Sequence, residues 1–280
     1  MQYGNSFSMN SNFINLDRFE SISQDHSADR TSNKYSLIPT TRIINVLEKA
    51  GWLPVSAQEM KCRNEDKKGF QKHMIKFRNE KVTVLNSDRL IPQIVLTNSH
   101  DGLASFCLQI GLFRLVCSNG LVVSDSMMPA QKIRHIGYTD QAVREAMEQV
   151  CDTVPGVGRK VNDFQAIEMT PDEKGVFAMA ALTAKYGEEA MTEREFLPNR
   201  LLSNYRYGDK NPTLWNTFNT VQEGLLKGGR FEMKEVKEGY YKGHKKVGRS
   251  RAVNSISENI RINQALWMLT EKMAELKGAN

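Results

Sequence analysis

The chain has 280 residues, with 40% hydrophobic and 25% charged side chains and a formal net charge of +6. That is an ordinary globular composition, enough to bury a substantial core in one large domain or two small ones. No apolar run approaches the length needed to span a bilayer, and no basic stretch followed by an apolar core opens the chain, so membrane insertion and export are not expected and a cytoplasmic protein is. The four cysteines, Cys62, Cys107, Cys117 and Cys151, form no CxxC pair, which points to free thiols rather than a metal centre or a disulfide framework.

In chain order, residues 1–36 are rich in Ser and Asn without a sustained period and read as a flexible arm. Residues 37–280 read as a single α+β domain, β-rich over 52–135 and mostly helical over 139–280. Thr40 or Thr41 is placed to cap a helix with an apolar stripe of Ile43, Ile44, Val46, Leu47 and Ala50, ended by Gly51. Phe70 to Arg78 alternates: His73, Ile75 and Phe77 fall on one side, and Lys72, Met74, Lys76 and Arg78 on the other. Further strands are expected at Gln93–Thr97, through Ala104 to Ile110, and at Phe113–Cys117. Asn98 to Gly102 is expected to be a tight turn, and Asn119-Gly120 a hairpin turn. The centre of the chain is expected to be an antiparallel β-meander with helices packed on one face.

Thr139 can cap a helix with Ala142, Val143, Ala146, Met147 and Val150 on one stripe. Pro155 to Lys160 lacks the spacing of a phosphate-binding loop and is expected to form a bend between helices. Thr170-Pro171-Asp172-Glu173 carries a capping-box signature. Two more helices are expected, over Leu214–Leu226, stopped by Gly228-Gly229, and from Ser255 or Glu258 to Leu276. Their periodic Trp215, Phe218, Val221, Leu225 and Leu226, and Ile256, Ile260, Leu266, Trp267 and Leu269, read as core or subunit-contact stripes.

The charge is unevenly placed. Between Lys227 and Arg251 stand nine cations against three acids, which equals the net charge of the whole chain. This basic segment, 227–251, includes Tyr240, Tyr241, Lys242, Lys245, Lys246, Arg249 and Arg251, mixing rings with charge. With Lys72, Lys76 and Arg78 on one strand face, and Lys132 and Arg134 after the meander, it has the cations and stacking surfaces that a single-strand groove needs. Arg114 lies in an apolar run, where it must either emerge to contact phosphate or pair with an acid such as Asp101 or Asp125. His100, Asp101, His135 and His73 offer the side chains of a metal or acid–base site, but without metal-ligand spacing. The expected function is therefore binding of single-stranded DNA, not enzymatic, with no cofactor and no metal. The alternatives are an interaction protein that antagonises a host defence complex and a metal-dependent nuclease.

Several word-like stretches carry a resemblance: Ile94-Val-Leu-Thr-Asn-Ser-His-Asp-Gly-Leu-Ala, Gly111-Leu-Phe-Arg-Leu-Val-Cys-Ser-Asn-Gly-Leu, Ile133-Arg-His-Ile-Gly, and Thr213 through Gly229. They resemble the phage/plasmid-like protein family, a family of domains of unknown function, over roughly Leu37 to Met273. That resemblance implies origin on a mobile genetic element. The order of a short helix, a meander and a second helix is similar to single-strand annealing recombinases of the Rad-fifty-two type. This implies a homo-oligomer, in ring form for that family, that anneals strands in a basic groove and works beside a host or element single-strand-binding protein or nuclease.

Overall fold

The computed structural model describes residues 14–29, 31–32, 35–82, 90–114, 119–122, 130–133, 135, 139–196, 198–203, 206–228, 232–235 and 247–278. The β-rich part contains α1 (Glu20–Ser23), α2 (Thr40–Lys49), β1 (Leu53–Glu59), β2 (His73–Arg78), β3 (Leu90–Asn98), β4 (Phe106–Arg114), β5 (Asn119–Val122) and β6 (Gln131–Ile133). Then come α3 (Asp140–Asp152), α4 (Val154–Ala166), α5 (Pro171–Tyr186), α6 (Glu188–Glu193), β7 (Arg194–Phe196), α7 (Pro198–Leu201), α8 (Leu214–Lys227), β8 (Glu232–Glu235), β9 (Val247–Arg249) and α9 (Ile256–Leu276). The architecture is α+β, with an antiparallel sheet and a helical C-terminal half.

The main sheet runs β1-β2-β3-β4-β5, and β6 pairs with the other end of the same edge of β4. β7, β8 and β9 make a second antiparallel sheet. Two details differ from the sequence-based expectation. β4 is one continuous strand over Phe106–Arg114, where two were expected, and Asn119-Gly120 pairs with Arg114 and Phe113 inside β5. An Asn-Gly pair tolerates a tight turn without requiring one, and here both residues are paired strand residues.

Strand alternation divides the main sheet into two unlike faces. On the first, Ile75, Phe77, Ile94, Leu96, Leu108, Ile110 and Leu112 join one hydrophobic core with α2 and α3. α2 buries Ile43, Ile44, Val46 and Leu47, and α3 buries Val143, Ala146, Met147 and Val150. The Thr139 hydroxyl caps α3 by accepting from the Ala142 N–H at 3.1 Å. On the second face, Met74 and Val95 form a separate small cluster with Ile256 and Ile260 of α9. Helices therefore cover both faces, not one.

The helical half closes around α8, which is buried along almost its whole length. Trp215 stacks on Phe218 at 5.3 Å between ring centres, and Trp267 of α9 meets Phe218 and Phe164 edge-on. Burying a side chain such as Phe218 contributes about 1.5–3 kcal/mol. A polar contact joins α8 to α9 in this interior: Gln222 Nε2 donates to Asn263 Oδ1 at 2.8 Å. Thr170 and Glu173 form the capping box of α5, and Ser255 caps α9. Gly228 ends α8 at φ 71°, and a Cβ there would collide with the backbone of Ala252. The glycines of Pro155 to Lys160 lie inside α4, so the bend falls one step earlier, at Thr153.

Part of the stretch expected to be a flexible arm is fixed against the sheet. Ser21 and Ile22 are buried, and the Ser21 hydroxyl donates to Glu59 of β1. The Ala28 N–H donates to the His100 carbonyl, and the Ser36 N–H to the His135 carbonyl.

Candidate nucleic-acid interface

Lys72, Lys76 and Arg78 do share the second face of the main sheet, as the alternation of β2 requires. That face is not an open groove. The start of α9 lies over it: Lys72 Nζ donates to Ser257 Oγ at 3.1 Å, and Gln58 Nε2 donates to the Asn254 carbonyl. Lys72, Lys76 and Arg78 are only partly exposed. Burial lowers the pKa of each of the three, with the nearby Cys107 partly offsetting this at Lys72. The Arg78 guanidinium sits over the Phe113 ring, 4.8 Å from its centre, a cation–π contact that reaches across β3.

Arg114 leaves the proposed interface altogether. Its side chain is 3% exposed and pairs with Asp209, itself 4% exposed, at 2.7 Å. The pairing alternative thus holds, with a partner from the helical half that neither Asp101 nor Asp125 anticipated. An apolar strand accepts a guanidinium here because Asp209, in the 3-10 turn Tyr207–Asp209, is brought against the sheet.

Of the remaining expected contacts, Lys132 is exposed on β6, Arg249 is exposed at the end of β9, and Arg251 is exposed just after it. The Arg251 carbonyl and that of Leu225 accept from Lys185 Nζ, which ties this stretch to α5; burial lowers the Lys185 pKa to about 8. Arg134, Tyr240, Tyr241, Lys242, Lys245 and Lys246 lie outside the described residues.

The histidines form a buried network at the edge of the first face. The Thr40 hydroxyl does not cap α2; it lies 2.8 Å from His73 Nε2 and 3.2 Å from His100 Nε2, and accepts from Asn98 Nδ2 at 3.0 Å. His73 Nδ1 faces the Gln71 carbonyl at 3.3 Å and must donate to it. His73 Nε2 is then the acceptor of the Thr40 proton, and His100 donates from Nε2 to Thr40. This leaves His100 Nδ1 as a bare acceptor, and it has no hydrogen-bond partner.

Burial, with repulsion from His100, lowers the His73 pKa to about 3. Burial, with repulsion from His135, lowers that of His100 to about 4. Both rings are neutral at physiological pH. His135 stacks on Tyr35 at 4.6 Å, and burial pushes the Tyr35 phenol up to about 12. Asp101 accepts from Ser99 Oγ and the Leu103 N–H, the pattern of the tight turn expected there. Among the described residues, no group of three or more His, Cys, Asp or Glu side chains is placed to hold a metal ion.

Two buried glutamines on the second face escaped the sequence reading. Gln93 and Gln109 are 2% and 7% exposed, and each has a side-chain carbonyl oxygen without a hydrogen-bond partner. The available signal was a polar residue at a period-2 position of two otherwise apolar strands.

No solved structure matches the chain, so the resemblance to annealing recombinases gains no support. Two proteins of Escherichia coli (strain K12), "UPF0380 protein YafZ" and "UPF0380 protein YfjQ", are each 31% identical over 254 residues, covering 90% of this chain and 87% of the relative. Residues 28–267 match the model of a domain of unknown function, DUF932, and with that coverage the chain belongs to this family.

Proposed function

We propose that this protein binds single-stranded DNA for a phage or plasmid, without catalysing a reaction, and that its principal contact is the basic segment 227–251. The observation that carries the reading is the placement of charge. Nine cations against three acids stand in that segment, and two of the nine, Arg249 and Arg251, are exposed in the structure. Such a cluster binds by displacing counterions from phosphates and needs neither ATP nor a metal. Bases held outward on an oligomer are then free to anneal.

A second reading, contact with a protein, is favoured by a different observation. Val176 and Met179 of α5 and Met268 and Leu276 of α9 are large, apolar and exposed. Among the described residues, no helix is long and apolar enough to cross a membrane.

The test combines native mass with fluorescence anisotropy on single- and double-stranded oligonucleotides across a salt series. Single strands should bind at low salt. Replacing Lys242, Lys245 and Lys246 together with Ala should reduce the slope of log affinity against log salt by about 0.7 per lost phosphate contact. A monomer with no affinity at low salt overturns the annealing reading; an unchanged slope removes the segment from the contact.

A further inference from the structure

Helix α5 has no charged side along its middle. From Gly175 to Ala184 it carries no ionisable residue, yet its buried stripe is Phe177, Ala178, Ala181 and Leu182 alone. A helix without a charged face is ordinarily covered all round. Here Val176, 64% exposed, and Met179 point outward, and a Cβ added to Gly175 would meet nothing within 4 Å. α9 continues the patch. Arg261, Ala265, Met268, Lys272 and Leu276 recur at helical spacing on one stripe, and Met268 and Leu276 (82%) are exposed.

Two contacts fix how the helices lie. Glu173 at the start of α5 pairs with Lys277 just past the end of α9 at 2.8 Å, and Arg261 near the start of α9 donates to the Ala184 carbonyl near the end of α5. The helices are therefore antiparallel. Because both rise equally per residue, Met179 and Met268 come level about midway between the two ties. One end of the patch carries both signs of charge, with Asp172 and Glu173 on α5 and Lys272 and Lys277 on α9.

We propose that this patch docks a second copy of the chain, by a half-turn about an axis running along the groove between α5 and α9. That operation lays α5 of one copy on α9 of the other at the same level. Val176 and Met179 then meet Met268 and Leu276, Asp172 comes to Lys272, and each contact is made twice, as a two-fold interface requires. Two copies of a chain with net charge +6 repel overall. Along this patch they do not, because Lys277, Arg261 and Lys272 pair with Glu173, Glu258 and Glu275. An apolar centre with balanced charge at its rim is the anatomy of a protein interface, and lacks the surplus of cations that an anionic membrane or a nucleic acid requires. The inference rests on the protein-contact reading above, whose partner it names, and not on strand binding.

The experiment is sedimentation velocity of the full chain over a concentration series. The mass should rise toward twice the 31.8 kDa of one chain. Val176→Glu and Met268→Glu, both at exposed positions, should each weaken association by about tenfold or more, since the dimer would bury an unpaired charge. A charge exchange tests the half-turn itself. Asp172→Lys sets like charges against each other in its own dimer, as does Lys272→Asp, and each should weaken association. Mixed in equal amounts the two variants should restore it, because both contacts of the mixed pair join a base to an acid. Melting curves establish that all four variants fold.

A single-chain mass at every concentration overturns the proposal. So does association indifferent to Val176→Glu and Met268→Glu, or a mixture that associates no better than its components. Cosedimentation with phosphatidylglycerol vesicles, abolished by Met268→Glu, would assign the patch to a lipid surface and overturn the protein-contact reading as well. Anisotropy of a single-stranded oligonucleotide with the Met268→Glu variant reads strand binding by itself, so the two readings fail separately.

Discussion

The two faces of the main sheet are built from the same strands and serve opposite ends. On the first face, Ile75, Ile94, Leu96, Leu108, Ile110 and Leu112 are buried in one continuous core, and its polar members pair with one another except at Asn98 Oδ1 and His100 Nδ1. Arg114 has Asp209, and His73 and His100 share Thr40. On the second face Met74 and Val95 are covered, while Gln93 and Gln109 keep carbonyl oxygens without donors. A polar group that is fully paired inside a protein specifies one structure; one left unpaired is a cost that stability alone does not explain. The two faces therefore differ in their covering, a continuous core on one and a small cluster beneath α9 on the other.

The largest effect that can break this contrast is at the buried ion pair. Asp209→Ala removes the carboxylate that pairs with the buried Arg114, and should cost about 3–5 kcal/mol in urea unfolding. The double change Arg114→Met with Asp209→Leu should recover most of that loss. A single-variant cost well below 1 kcal/mol would show that the pair does not hold the helical half to the sheet.

Adjacent residues of β3 sharpen the comparison next. Ile94→Ala, on the core face, should lose about 2–5 kcal/mol. Gln93→Leu, one residue away on the other face, should be neutral or stabilising, because it removes an acceptor that has no donor. Equal losses at both positions would mean that Gln93 belongs to the scaffold.

A third effect is acid sensitivity. The folded state holds His73 near 3 and His100 near 4, below the usual 6.5, so the unfolded chain binds more protons in between. Their contribution is complete above about pH 6.5 and is lost as pH falls toward those folded values, by about 1.4 kcal/mol per pH unit for each ring. Urea midpoints at pH 7.5, 6 and 5 measure it, and His73→Gln should reduce the slope. A flat profile would mean that the rings do not stay neutral in the fold.

Much of this architecture is legible in local pattern. Thr139, the capping box at Thr170, Gly228 and the apolar stripes of α8 and α9 act within a few residues, so spacing alone locates those helices. The two-sided character of β2 follows in the same way, because side-chain direction alternates along any strand. The concentration of charge between Lys227 and Arg251 is a property of composition and needs no fold.

Long-range pairing is different in kind. Nothing near Arg114 in the chain names Asp209, and Thr40 has the residue type of a cap but faces two histidines from distant strands. The open basic strand face expected from β2 is partly covered because α9, far along the chain, lays Ile256, Ser257 and Ile260 over it. Periodicity tells which way a side chain points. Whether water, an apolar neighbour or an opposite charge waits there depends on elements that only packing brings together.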